Sequence, residues 1–348
     1  MASCHAAVDT LANCCEPMIQ SLRFVNYRVL RDAVLPLGRF TLLVGPNGSG
    51  KSTVLHALKA LRAAMRGEAI SYVGLTSFGL DTGSTSVTLT FTVNSEIVES
   101  TVRWEQNAIL RDGLKVNIRR VDRLTHFLRE VRAYTLDEKR IIQPVQLTPQ
   151  MELQEDGGNL AGVLDRLRDQ NPENFDAYNR EVAALAPEFD RVLFDTPAPG
   201  FRSFMLRTRM GHHPVPARDL SQGTVLALAL LALTYIEPAP SMVCIEEPDR
   251  GIHPRLYREI RDALYRLSYP EKFGLDRPPV QVLITSHSPY MLDLHKDHPE
   301  EVVIAEKVGS EGTFSRLSDR EDLDELLSEA SLGEIWYSGV LGGVPAGT

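Results

Sequence analysis

The stretch Phe40-Thr41-Leu42-Leu43-Val44-Gly45-Pro46-Asn47-Gly48-Ser49-Gly50-Lys51-Ser52-Thr53 constrains this chain most tightly. The apolar run Phe40–Val44 predicts a buried strand, and a glycine-rich turn follows, opening into a helix expected over Thr53–Arg66. The spacing Gly45-x4-Gly50-Lys51-Ser52 is that of a phosphate-binding loop. Glycines at 45, 48 and 50 let successive backbone N–H groups converge on one oxyanion, and the next helix adds its positive N-terminal end. Asn47, Gly48, Ser49, Gly50, Lys51, Ser52 and Thr53 are the candidate nucleotide contacts. Lys51 would reach the β- and γ-phosphates, and the Ser52 hydroxyl would ligate Mg²⁺. The expected ligand is therefore a nucleoside triphosphate with Mg²⁺.

With 348 residues, the chain can bury a large core in one big domain or two. Its net charge of −9 gives no general basic field, so any contact with nucleic acid needs a local patch. No apolar run approaches the ~20 residues of a membrane span. The richest, Val225–Leu233, reads as a buried helix, and the expected location is cytoplasmic with no membrane partner. Cys4, Cys14, Cys15 and Cys244 lack metal-ligand spacing, and Cys244 reads as a small hydrophobe in a strand. His212-His213 reads as part of a solvated turn.

Residues 1–17 read as a loosely held extension. Ile19–Phe24 and Val34–Leu37 read as strands, while Ser86–Val93 and Ile97–Trp104 alternate with period two and predict a hairpin around Asn94-Ser95-Glu96. From about 108 to 214 the pattern predicts a helical insertion, with helical spacing in Leu124–Val131, Leu160–Asp169 and Phe175–Leu185. Within it, Lys115–Arg140 holds eight Lys/Arg against four Asp/Glu, which suits either a solvated helix face or a DNA-backbone patch. Residues 290–348 carry thirteen acids against four bases and are poorly suited to DNA. The expected division is thus 1–17 extension, 18–107 N-terminal lobe, 108–214 helical lobe and 215–348 C-terminal lobe.

Four further elements bear on chemistry. Met242–Ile245 is an apolar strand ending in Glu246-Glu247. Adjacent side chains on a strand face opposite ways, so Glu246 can face Mg²⁺ while Glu247 deprotonates an attacking water. Leu220-Ser221-Gln222-Gly223-Thr224 precedes the apolar helix with Ser221 as a natural N-cap. Val280–Ser286 is a buried strand delivering His287 to its C-terminal end, where ligands of open α/β sheets bind and an imidazole can meet a γ-phosphate. Asp249-Arg250-Gly251-Ile252-His253-Pro254 is either a plain turn or a loop that touches a second subunit.

Taken together, these motifs resemble the ABC-type ATPases of the RecF and SMC class, including small OLD-like heads. The order matches: phosphate loop (45–52), signature (220–224), Walker B acids (246–247), a D-loop-like segment (249–254) and a switch histidine (287). The opening Leu22-Arg23-Phe24-Val25-Asn26-Tyr27-Arg28 and the tail Gly333–Gly343 are also similar to that class. The resemblance implies an α/β P-loop NTPase fold, an ABC-type head with an antiparallel β subdomain and a helical insertion. It further implies a homodimer sandwiching ATP, in which Ser221 and Gly223 act on the nucleotide of the other head. Gln143 and Gln146 are the candidates for a Q-loop glutamine. Two departures stand out: the signature is Ser-Gln-Gly-Thr, and the first Walker B acid is Glu246 rather than Asp, one methylene longer and expected to slow turnover.

The leading expectation is an ATPase with Glu247 and His287 catalytic and Ser52 and Glu246 on the metal. It would switch a DNA-linked process, in repair or defence, or a separate nuclease or toxin effector. The alternatives are the ATP-binding subunit of a transporter and a binding module with a dead nucleotide site.

Overall fold

The computed structural model describes residues 17–68, 84–93, 96–105, 108–112, 118–149, 151–309 and 311–342. Cys4, Cys14, Cys15, Lys115, the turn residues Asn94 and Ser95, and Gly343 lie outside the described residues.

The chain opens with β1 (Met18–Tyr27) and β2 (Leu30–Pro36), antiparallel with Tyr27 opposite Leu30. β3 (Phe40–Val44) leads through the glycine turn into α1 (Lys51–Arg66), which starts two residues earlier than expected. The expected hairpin forms as β4 (Thr85–Val93) and β5 (Glu96–Glu105), with Val87 opposite Val102. With β6 (Ala108–Asp112) these strands make a five-stranded antiparallel sheet, β2-β1-β4-β5-β6.

The segment expected to be helical holds α2 (Ile118–Arg129), α3 (Glu138–Ile141), α4 (Leu160–Gln170) and α5 (Pro172–Leu185). It is not only helical. α2 stops at Arg129, and Val131 already belongs to β7 (Val131–Tyr134) of the central sheet. β8 (Val145–Gln146), β9 (Phe189–Asp195), β10 (Phe201–Thr208) and β11 (Pro214–Pro216) build a small four-stranded sheet.

The remaining elements are α6 (Gln222–Leu233), β12 (Met242–Glu246), α7 (Tyr257–Ser268), β13 (Gln281–Ser286), α8 (Pro289–Asp293), β14 (Val302–Val308) and β15 (Glu311–Arg316). The central sheet runs β15-β14-β3-β13-β12-β7, parallel except for β15.

Apolar material covers both faces of this sheet, as a parallel sheet requires. Along β12, Val243 and Ile245 join the core shared with α4 to α7, while Met242 and Cys244 join the core shared with α1, α2 and the antiparallel sheet. β7 follows the same rule, with Val131 and Ala133 on the α1 side and Tyr134 on the other. α6 is apolar all round and buried from Val225 to Leu233, as expected of a helix inside the core.

Three of the basic residues in the 115–140 stretch make contacts within the chain. Arg129 Nε donates to Met65 O at 2.8 Å, Arg132 is buried against Glu130 and Glu152, and Arg140 pairs with Asp156. Among the described residues, no helix is long and apolar enough to cross a membrane.

Candidate functional site

The turn after β3 is shaped by backbone crowding. An added Cβ at Gly45 would stand 2.3 Å from Ala305 O on β14, so only glycine fits. Gly50, the residue before α1, has φ 107°, open to glycine and strained for other residues. The β1–β2 tip, carrying the Asn26-Tyr27-Arg28 sequence, packs on this turn. Val29 lines the cavity beside it, and Leu30 lies against Gly50.

That cavity, of about 140 Å³, brings together most of the candidate residues. From the loop and α1 come Asn47, Gly48, Gly50, Lys51, Ser52 and Thr53. From the ends of β12 and β13 come Glu246, Glu247 and His287. Ser49 differs from its neighbours: its side chain is wholly buried, and its hydroxyl has no partner among the described residues. The volume suits a phosphate group rather than a whole nucleotide, since ligand pockets commonly enclose ~300 Å³ or more.

Lys51 is 6% exposed, and its Nζ donates to Gly45 O at 2.6 Å and Pro46 O at 2.9 Å. Burial pulls its ammonium down to about 8, with Glu247 and Glu246 opposing that shift. Ser52, in the first turn of α1, donates from Oγ to Glu246 Oε1 at 2.5 Å. Glu246 continues the Met242, Cys244 side of β12, the face on which α1 packs, which explains why these two side chains meet.

Glu247 leaves the strand with φ 46°, an uncommon value for a residue with a side chain. Its N–H is pinned to Thr285, 3.1 Å from the carbonyl oxygen and 3.1 Å from Oγ1. This aims the carboxylate at His287, whose Nε2 lies 3.3 Å from Glu247 Oε1. Burial first, and then Lys51, lowers the imidazole pKa below its ordinary value, while Glu247 opposes the shift.

Ser221 and Gly223 stand elsewhere, in a separate surface cavity of about 630 Å³ with Gly251 and His253. Ser221 caps α6 as expected, accepting from Thr224 N at 3.2 Å. Gly223 is tight against the 249–254 turn, where an added Cβ would sit 3.0 Å from Gly251 O. His212, with φ 53°, and His213 lie in an exposed turn as expected. Cys244 is buried in β12.

The Q-loop candidates do not reach the site. Gln143 Nε2 donates to Lys139 O at 3.0 Å, and Gln146 lies in β8 opposite Phe201. The residue that reaches it from that part of the chain is Thr135, whose Oγ1 donates to Glu246 Oε2 at 3.0 Å. Lys307 of β14 also went unread, and its Nζ lies 3.8 Å from where a Cβ on Gly48 would be. The signal for both lies in strand register, which no local motif carries.

A phosphate-type loop after β3, two acids ending β12 and a histidine after β13 define an α/β P-loop nucleotide-binding head. A family model described as "AAA domain, putative AbiEii toxin, Type IV TA system" matches residues 40–293, and the chain belongs to that family. A curated relative from Thermus scotoductus, "OLD nuclease", is 25% identical over 376 residues, covering 91% of this chain and 68% of the relative. Two solved SMC heads share the fold. One, from Pyrococcus furiosus with an extended coiled coil and bound to the C-terminal domain of ScpA, has a TM-score of 0.60 at 15% identity, covering 90% of this chain and 99% of that one. The other, from Thermotoga maritima, has a TM-score of 0.51 at 16% identity, covering 86% and 98%. The resemblance to RecF, SMC and OLD-like ATPases is thereby borne out, as is the fold class.

Proposed function

We propose that this chain binds ATP with Mg²⁺, hydrolyses it, and dimerises head to head when ATP is bound, so as to switch a DNA-linked process or a partner effector. The observation that carries this reading is the convergence of Lys51, Ser52, Glu246, Glu247 and His287 on one cavity from three strand ends.

The donors suit the cofactors. A hydroxyl and a carboxylate in contact, Ser52 and Glu246, are hard oxygen ligands of the kind Mg²⁺ takes, and the metal when bound would neutralise charge on the phosphates. Loop N–H groups and the Lys51 ammonium would cradle the β- and γ-phosphates. Glu247 would take the proton of the attacking water, and a neutral His287 would hold that water or the γ-phosphate in line. The 140 Å³ cavity leaves base and sugar outside. A second head bringing Ser221 and Gly223 would close over them, in keeping with the outward placement of that cavity.

The nuclease named in the relative and the SMC fold favour a DNA-linked or effector-coupled role over a transporter subunit, which no observation supports. The test is phosphate release from ATP. Wild-type protein should turn over ATP with Mg²⁺, Lys51→Ala should lose nucleotide binding, and Glu247→Gln should bind without turnover. Wild-type protein that neither binds nor hydrolyses ATP would overturn the reading.

A further inference from the structure

Thr135 is the first residue beyond β7. In the parallel pairing of β7 with β12, Tyr134 stands opposite Ile245, so Thr135 and Glu246 emerge side by side at the sheet's C-terminal edge. Side-chain alternation then fixes direction. Val131 and Ala133 face the α1 side, as do Met242 and Cys244, so Thr135 and Glu246 both point toward the N-terminus of α1. The result is a carboxylate held at both oxygens, Oε1 by Ser52 Oγ at 2.5 Å and Oε2 by Thr135 Oγ1 at 3.0 Å.

We infer that Thr135 is a positioning residue for the metal site, compensating for the longer Glu246. Glutamate has one more rotatable bond than aspartate, so a metal-facing Glu needs a second anchor to keep one oxygen on target. Thr135 supplies that anchor through Oε2 and leaves Oε1 to the metal side with Ser52. Hydroxyl groups that orient a ligating carboxylate govern metal affinity through it, commonly by ~10- to 100-fold. The departure at the first acid, a Glu for Asp, and the Thr135 contact thus form one arrangement: Thr135 and Glu246 are matched to each other.

This inference rests on the nucleotide-binding reading above. It is tested by titrating Mn²⁺ into the protein with a non-hydrolysable ATP analogue and reading free Mn²⁺ by electron paramagnetic resonance. Wild type should bind the Mn²⁺–nucleotide complex. Thr135→Val, nearly the same shape without the hydroxyl, should bind Mn²⁺ about tenfold more weakly or worse, and Thr135→Ser should restore it. In a Glu246→Asp background, whose carboxylate is drawn back from Thr135, adding Thr135→Val should change little, because the anchor is already lost. Unchanged Mn²⁺ affinity in Thr135→Val overturns the inference while leaving the nucleotide site intact. Equal loss in Thr135→Val and Thr135→Ser, with lowered melting temperatures, also overturns it, since the residue would then be structural. Absence of Mn²⁺–nucleotide binding in the wild type removes the nucleotide reading itself and this inference with it.

Discussion

Ser286 Oγ donates a 2.8 Å hydrogen bond to Asp249 Oδ2, joining the turn after the two glutamates to the turn that carries the histidine. Ser286 Oγ also accepts from Ser288 N at 2.9 Å, so one hydroxyl fixes both sides of His287. Asp249 is 8% exposed, and burial raises its carboxyl pKa, with the Ser286 bond opposing. The segment that faces the signature cavity through Gly251 is thus fastened to the segment that faces the phosphate cavity through His287.

This link makes a prediction at Asp249. Asp249→Ala should lower kcat on the order of 10- to 100-fold with KM little changed, because it loosens a histidine that would act in the transition state. A raised carboxyl pKa means that the folded protein binds more protons than the unfolded chain between 3.8 and the raised value. The contribution of this group to stability is therefore fully present at low pH and falls as pH rises through that window. Asp249→Asn mimics the protonated form, so it should gain in melting temperature relative to wild type near neutrality. That gain should shrink as pH falls, and melting curves at several pH values check it.

At Lys51 the sign is set by the phosphate. Burial leaves the ammonium at about 8, so near that pH a substantial fraction is neutral before binding. Contact with phosphate oxygens favours the charged form and raises the pKa. ATP binding near pH 8 should therefore take up protons, and affinity should fall as pH climbs above that value. Calorimetry in buffers of different ionisation enthalpy measures the uptake, which should vanish well below pH 8, where Lys51 is already charged.

Gly45→Ala tests the shape of the loop. Its Cβ would press on Ala305 O, a backbone atom of β14 that cannot swing aside. The phosphate loop should shift, costing about 1–3 kcal/mol of stability and most of the affinity for ATP. Fluorescent-nucleotide titration beside a melting curve separates the two effects. Retained affinity would show that the loop tolerates displacement from β14.

The parts of the fold that could be read from sequence were those in which local pattern and tertiary role coincide. β3, β12 and β13 are short apolar runs that stay apolar because both faces of the sheet are covered, and the polar residues at their ends mark the site. α6 is apolar from Val225 to Leu233 because that part is surrounded. β7 escaped notice for a physical reason: in its four residues a buried arginine, Arg132, interrupts the apolar pattern, and its charge is met by Glu130 and Glu152. With β7 unseen, Thr135 had no place beside Glu246. β9 and β10 were hidden because much of each strand is half-buried or exposed, which blurs the alternation that signals a sheet. Two glutamines could be singled out as residue types, but whether either reached the acids depended on register.

The proposed ATP-driven switch between separate and paired heads can be read from mass in solution. Light scattering would be run on wild type and Glu247→Gln, each with and without ATP and Mg²⁺. Removing the proposed base should trap ATP, so Glu247→Gln should become a stable dimer only when both are present, with wild type pairing transiently or less completely. A mass that stays the same in every condition, for both proteins, would contradict the account.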